Sequence, residues 1–435
     1  MAQAMKRAKW ISCGLLLGCL ILIGFGCGSQ PETAITIKVW DIQEAEAYSK
    51  WWSDYAKAFE AAHPDVHISI EVFETNAYKS KWLAAAIART LPDVFYQTPG
   101  PEITGAYKED KLLSLDQLID PGRLSESARL QCSFDGKLYG LPLYYAPSFI
   151  YYNKTLFSRA GVDVQKWADP TQPSWEEFIA ACEALKKAGI TPIAMGNAEK
   201  WPALVWYWTF QNRYGGQQEL LNAAQGNGSY QSPGFIRAGA LTRQLAERGY
   251  LTDGYNGIGA GQKYSIWTQG TGGAMIYQGP WLLGHITDTA PKDFSYGFFH
   301  FPRFPDGNPD SQRDVVAGID ALWVSAKTVH PETVGAFLKG FTDASKQLDF
   351  VLATNSVSAM ADIEPPRERV GDMVWQISAA MKQTGAVIPW WDVSLLPPKV
   401  SETMLNLSQK LLLGEISPEA FAAELDRVAG KTGQP

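Results

Sequence analysis

Ile35-Thr36-Ile37-Lys38-Val39-Trp40-Asp41 alternates apolar and polar positions and is rich in β-branched residues, which predicts a first strand. From Glu44 to Ala62 the period lengthens: Tyr48, Trp51, Trp52, Tyr55, Phe59 and Ala62 recur at helical spacing, and Pro64 ends the run. A second strand over His67 to Glu74, a second helix over Ala77 to Arg89 and a third strand over Pro92 to Tyr96 follow. The order βαβαβ predicts a parallel, doubly wound sheet.

A second unit begins near Phe134 to Pro142 and continues through a strand at Phe149 to Lys154. Ser174 and Glu177 fit a capping box ahead of a helix carrying Phe178, Ala181, Cys182 and Leu185, which Gly189 ends. Gln211 to Gly234 is rich in Gly, Asn and Gln and is expected to be loop, as is Ile258 to Gly261. Arg313 to Ser325 returns to strand character, and Pro331 opens a helix through Phe341. Gly273 to Gly284 reads as a strand from Ala274 to Tyr277, a Gly279-Pro280 turn and a helix opening at Pro280. That order sets Trp281 at the carboxyl edge of a strand, where open α/β sheets hold their ligands.

At 435 residues the chain suits two domains, and its 46% hydrophobic and 19% charged content is that of a globular protein. A net charge of −7 argues against nucleic acid or an anionic membrane surface as the main partner. Lys6, Arg7 and Lys9 precede an apolar run from Trp10 to Phe25, too short and glycine-interrupted for a spanning helix. This resembles a bacterial lipoprotein signal over residues 1–26, with a tether over 27–34. Cys19 fits the lipobox pattern better, but processing there would expose Leu20 to Ile23; Cys27 is the preferred lipid attachment. Plain secretion or an uncleaved anchor is the alternative. Only Cys132 and Cys182 lie beyond this segment, and two buried free thiols are expected rather than a disulfide framework.

Catalytic spacing is hard to find. There is no His-Glu-x-x-His and no Gly-x-Ser-x-Gly, and Gly430-Lys431-Thr432 lacks both the upstream glycine and the following helix of a phosphate loop. Pro64 separates His63 from His67, so no metal site is expected there, and neighbouring Glu176 and Glu177 point apart on a helix. No cofactor is implied. Aromatic and acidic residues gather instead at expected strand ends, Trp40-Asp41, Tyr96-Gln97 and Tyr144-Tyr145, followed by Trp201, Trp206, Trp208, Trp281 and Trp390-Trp391-Asp392. Sugar rings offer an apolar C–H face to flat aromatics and a fringe of hydroxyls to carboxylates and amides.

With these residues the chain resembles the extracellular solute-binding proteins of ABC sugar importers, the maltose-binding-protein-like group. The resemblance rests on Asp135 to Pro142; Tyr151-Tyr152-Asn153-Lys154 with Leu156-Phe157 and Ala160-Gly161; Ser174 to Phe178; and Gly273-Ala274-Met275 with Gly279-Pro280-Trp281. Ala321 to Ser325 followed by His330-Pro331-Glu332 is a further match. It implies a type II periplasmic-binding-protein-like fold: two α/β lobes, each a mostly parallel sheet flanked by helices, with a hinge between. The crossings would lie near Tyr144, Asp314 and Glu364, giving one lobe of 35–144 plus 314–363 and another of 145–313 plus 364–430.

By the same resemblance Trp281 stacks on a sugar, and Trp40 and Asp41 match the loop after the first strand, where side chains bond sugar hydroxyls. Asp41 could equally cap the helix that follows. Asp93 matches loosely and reads also as a turn residue; Tyr96, Tyr145, Trp390 and Asp392 complete the expected wall. Trp175 is assigned to packing. Asp320, an acid within an apolar strand, is either a ligand contact or a buried, partnered charge. The implied function is a non-enzymatic, monomeric, lipid-anchored receptor, extracytoplasmic, that hands a mono- or oligosaccharide to the transmembrane subunits of an ABC permease. Glycerol phosphate, a polyamine or a peptide is the alternative solute, and a secreted glycan-degrading enzyme the alternative class.

Overall fold

The computed structural model describes residues 35–42, 45–167, 172–361, 363, 366–391 and 395–430. The expected signal and tether, with Cys19 and Cys27, lie outside the described residues, as do Asp392 and the crossing near Glu364.

In chain order the strands are β1 (Ile35–Ile42), β2 (Val66–Phe73), β3 (Val94–Gln97), β4 (Ser133–Phe134), β5 (Lys137–Leu138) and β6 (Gly140–Pro147). They continue with β7 (Phe149–Asn153), β8 (Met275–Gln278), β9 (Tyr296–Phe299), β10 (Val315–Val324), β11 (Val357–Ser358) and β12 (Val387–Ile388). In β1, Ile37 and Val39 face inward while Thr36 and Lys38 face solvent, as alternation requires. The helix Glu46–Ala62 buries Tyr48, Trp52, Tyr55 and Ala56 on one face, and Trp52 stacks on Phe341 with centroids 5.2 Å apart. Burying a large apolar side chain of this kind contributes about 1.5–3 kcal/mol, and the Ala56 methyl less.

The larger sheet runs β11-β6-β10-β3-β1-β2, with β12 paired to β10. β1 lies parallel to both β2 and β3, the doubly wound half expected from the sequence. The other half corrects that expectation: β10 is antiparallel to both β3 and β6. The reason lies in connection. βαβ crossovers return the chain in the same direction, whereas β6 and β10 carry it out to a second group of elements and back. Leu141, Leu143 and Ala146 belong to the core of the first lobe, and Phe149 and Ile150 to cores of the second. Val315 and Val316 likewise pack in the second lobe, and Ile319 to Val324 in the first.

The second lobe's sheet is also mixed rather than mostly parallel. β7 pairs antiparallel with β8 and β9, and single parallel bridges join Ile193 to Met275 and to Leu251. The largest departure from expectation is at Gln211 to Gly234. The helix Trp201–Ala224 runs through its first half, interrupted at Gly216 (φ 71), and the helix Pro233–Glu247 begins at its end. Tertiary bonds outweigh the loop-like composition. Arg213, fully buried, donates to the carbonyls of Ser311 (2.6 Å), Asp314 (3.0 Å) and Pro302 (3.3 Å), and Asn212 donates to Asp314 Oδ2 at 3.1 Å. At Ile258 to Gly261, expected as loop, the helix Ala260–Thr268 already begins.

The capping box forms as read: Glu177 N donates to Ser174 Oγ at 3.2 Å and Ser174 N to Glu177 Oε2 at 2.9 Å. Trp175 packs between Phe178 and Phe304. Cys132 and Cys182 are buried and free, their thiols pushed up by burial.

Candidate functional site

A cleft of about 770 Å³ opens where β1 and β3 end, walled on the far side by the second lobe. Ile42, Tyr96 and Gln97 bring the strand ends, while Glu199, Trp201, Tyr264, Trp281 and Trp390 form the opposite wall.

Trp281 owes its place to the residues before it. β8 ends at Gln278, one residue later than expected, and Pro280 is the N-cap of the helix Trp281–Thr289 rather than its first residue. The indole folds back over Gly279, where a Cβ would stand 2.0 Å from the ring, so no larger residue fits. With its amide oxygen turned to the rings, Gln278 accepts from Trp281 Nε1 at 2.7 Å and Tyr264 OH at 2.9 Å, while its nitrogen donates to the Tyr277 carbonyl at 3.0 Å. Trp390 lies over Gly318 of β10, where a Cβ would be 3.3 Å from its ring. It meets Trp281 edge-on at 5.2 Å and stacks with Trp201 at 6.0 Å.

One carboxyl sits at the floor and a second lies just beneath it. Asp320, 6% exposed, accepts from Tyr96 OH and from Tyr144, and burial raises its pKa despite these bonds. Asp41, 3% exposed, accepts from Ile42 N at 2.8 Å and Tyr48 OH at 3.1 Å. Burial pushes Asp41 up to about 7, and the neighbouring Asp320 adds to the rise. Of the two, Asp320 is the one that lines the cleft, and its carboxyl oxygens suit a hydroxyl-rich ligand.

Of the residues singled out from sequence, Trp281, Trp390, Tyr96 and Asp320 line the cleft, and Asp41 lies beside Ile42 just beneath it. Asp41 is not a helix cap: the N-cap is Ala45. Trp40 points to the other face of β1, against Phe73 at 5.9 Å and under Lys81 Nζ at 4.1 Å. Tyr145 likewise alternates away; its hydroxyl bonds Ser125 Oγ at 2.8 Å, and its neighbour Tyr144 reaches Asp320 instead. Asp93 stands at the amino end of β3, opposite the cleft, accepting from Lys38 N at 2.9 Å and Thr328 Oγ1 at 2.7 Å. Asp392 is outside the described residues.

Glu199, Tyr264, Tyr78 and Glu102 were not singled out from sequence, and Trp201 was noted only as one tryptophan among several. One signal could have found Trp201. It opens its helix next to Pro202, as Trp281 opens its own next to Pro280. Glu199 keeps Oε2 buried without a hydrogen-bond partner, and its Oε1 accepts from Ala260 N at 2.9 Å.

Residues 43–347, more than half of the chain, match the model of the bacterial extracellular solute-binding proteins, and the chain belongs to that family. An uncharacterized ABC transporter extracellular-binding protein of Pyrococcus horikoshii is 24% identical over 445 residues, 97% of this chain and 91% of the relative. The multiple sugar-binding protein of Streptococcus mutans is 30% identical over 215 residues, 48% of each chain. A solved structure from work on xylan utilization by Caldanaerobius polysaccharolyticus superposes with a TM-score of 0.82 at 25% identity, covering 90% of this chain and 99% of that one.

Proposed function

We propose that this solute-binding protein is the receptor of an ABC importer that captures a carbohydrate, mono- or oligosaccharide, in the cleft and delivers it to permease subunits. The observation that carries the reading is the meeting of Trp281, Trp390 and Trp201 on one wall with the buried acceptor Asp320 on the floor. Flat apolar rings meet the C–H face of a sugar, and carboxyl oxygens accept from its hydroxyls. The carboxylates Glu74, Glu102, Glu199 and Glu402 also line the cleft against Lys79, which disfavours glycerol phosphate and other anions. The relative named for multiple sugars and the structure from xylan work support the same class. The lobes, divided at the segments around residues 144–148 and 314–318, close on the ligand, which needs no covalent chemistry.

A thermal-shift screen tests this with neutral mono- and oligosaccharides, glycerol phosphate, a polyamine and a peptide. A saccharide is expected to raise the melting temperature, since ligand at 100 times its Kd adds about 2.7 kcal/mol. A shift from the amine or peptide alone would defeat the carbohydrate reading. Lipid on Cys27 holds the receptor at the membrane, because two or more acyl chains anchor durably. Labelling cells with a fatty-acid probe is expected to mark the chain and not its Cys27→Ala variant; label retained in that variant would move attachment to Cys19 or remove it.

A further inference from the structure

Behind the aromatic wall lies a cation that the carbohydrate reading does not use. The helix Ala260–Thr268 lines the cleft with Gly261, Gln262 and Tyr264, and turns Lys263 inward, 2% exposed. The ammonium lies 5.1 Å from the centre of the Trp201 ring and 5.2 Å from that of Tyr264. The Gln278 side-chain amide is 3.5 Å away but, with its oxygen committed to Trp281 and Tyr264, offers Lys263 no acceptor. Among the described residues Lys263 makes no ion pair, and Glu199, whose field favours its charge, gives one oxygen to Ala260 N and leaves the other unpartnered. His285 packs against Tyr264 with ring centroids 4.6 Å apart, and burial lowers its pKa, so it adds no competing charge at neutral pH. A buried ammonium without a counter-ion is costly, and aromatic faces are the partners it has here.

We propose that Lys263 is a positioning residue of the cleft: seated against Trp201 and Tyr264, its ammonium holds both rings as the wall on which the ligand lies and thereby sets affinity. The proposal rests on the carbohydrate reading for its ligand and on the wall geometry for its mechanism. Trp201 stacks with Trp390 at 6.0 Å and meets Trp281 edge-on at 6.2 Å, so one cation anchors three indoles. Glu199, beside them, lines the cleft with one oxygen bonded to Ala260 N and the other buried without a hydrogen-bond partner. Burial draws the ammonium down to about 8, so the anchor weakens as pH rises through that value.

Lys263→Met and Lys263→Arg, made in the full chain, test this through ligand-free tryptophan emission and through affinity for whichever saccharide stabilises the wild type. Both are read from about pH 6.5 to 9.5, the span around the ammonium's transition. The methionine variant, with a similar apolar stem, is expected to unfold cooperatively, to show altered emission and to lose about tenfold or more in affinity at neutral pH. The arginine variant is expected to retain most of the affinity. Wild-type affinity should fall across pH 8 while that of the methionine variant stays flat. Wild-type affinity in Lys263→Met, with an unchanged pH profile, would overturn the proposal. If the methionine variant fails to fold, a wild-type affinity and emission that do not change across pH 8 would overturn it equally. If no saccharide binds the wild type, the carbohydrate reading fails, and emission alone decides: a difference between wild type and Lys263→Met that disappears above pH 8 supports the anchor, and identical emission throughout refutes it.

Discussion

Trp281 shows how local order positions a residue before any ligand is considered. Gly279 clears space for the indole, Pro280 turns the chain and Gln278 fixes the ring nitrogen. All three neighbours are visible in the sequence, which is why this residue was legible there. Trp40 and Tyr145 were misplaced by a single step of strand alternation, since each neighbour, Asp41 or Tyr144, takes the inward position. Asp93 precedes β3, as its Pro-Asp position in the sequence indicates, and so stands at the strand's amino end away from the cleft, where it bonds Lys38 N and Thr328 Oγ1; the resemblance that offered it as a site residue was loose. Asp41 carries a prediction of its own. Its folded pKa of about 7 stands above the ordinary 3.8, so its contribution to stability is full below pH 3.8 and is lost as pH rises to 7. Asp41→Asn removes that loss. Melting temperatures are expected to diverge in the variant's favour between about pH 4 and 7, by the equivalent of a few kcal/mol, and to run parallel above. A gap that stayed constant with pH would mean that Asp41 is ordinary in the folded state.

Elements with strong local signals formed as read: the capping box at Ser174, the alternation of β1 and the helix Pro331–Phe341. The helix Trp201–Ala224 did not, because Asn212 and Arg213 find partners far along the chain, in the segment from Pro302 to Asp314, while Gln211 bonds Glu219 past the interruption at Gly216. Composition sees three polar residues beside glycines; the fold sees a buried guanidinium satisfied by three carbonyls. Burial draws Arg213 down to about 10, yet its bonds keep this helix against the crossing strand β10. Arg213→Ala strands those carbonyls and leaves a cavity, and is expected to cost roughly 3 kcal/mol in urea unfolding without altering the cleft residues. A loss below about 0.5 kcal/mol, typical of a surface site, would show that the network is not what holds the helix.

At the scale of the molecule, the strands β6 and β10 of the larger sheet lead the chain to and from the second lobe, and the cleft lies where the parallel strands of one lobe end against helix openings of the other. The two-lobed α/β architecture was legible from element order and family resemblance together. The antiparallel half was not, since a strand returning from a second lobe looks in sequence like any other apolar run. The charge of the cleft depends on the same assembly: carboxylates far apart in the chain, from Glu74 to Glu402, face one space, and aromatics from six separate segments close it. The central claim is that this space holds a sugar against Trp281. Calorimetric titration of wild type and Trp281→Ala with the saccharide that most stabilises the protein tests it most directly. One saccharide is expected to bind each wild-type chain, with affinity at least thirtyfold weaker in the variant, about 2 kcal/mol, and with no change in melting temperature of the ligand-free protein large enough to signal unfolding. Equal affinity in the two proteins, or heat only from a non-sugar solute, would contradict it.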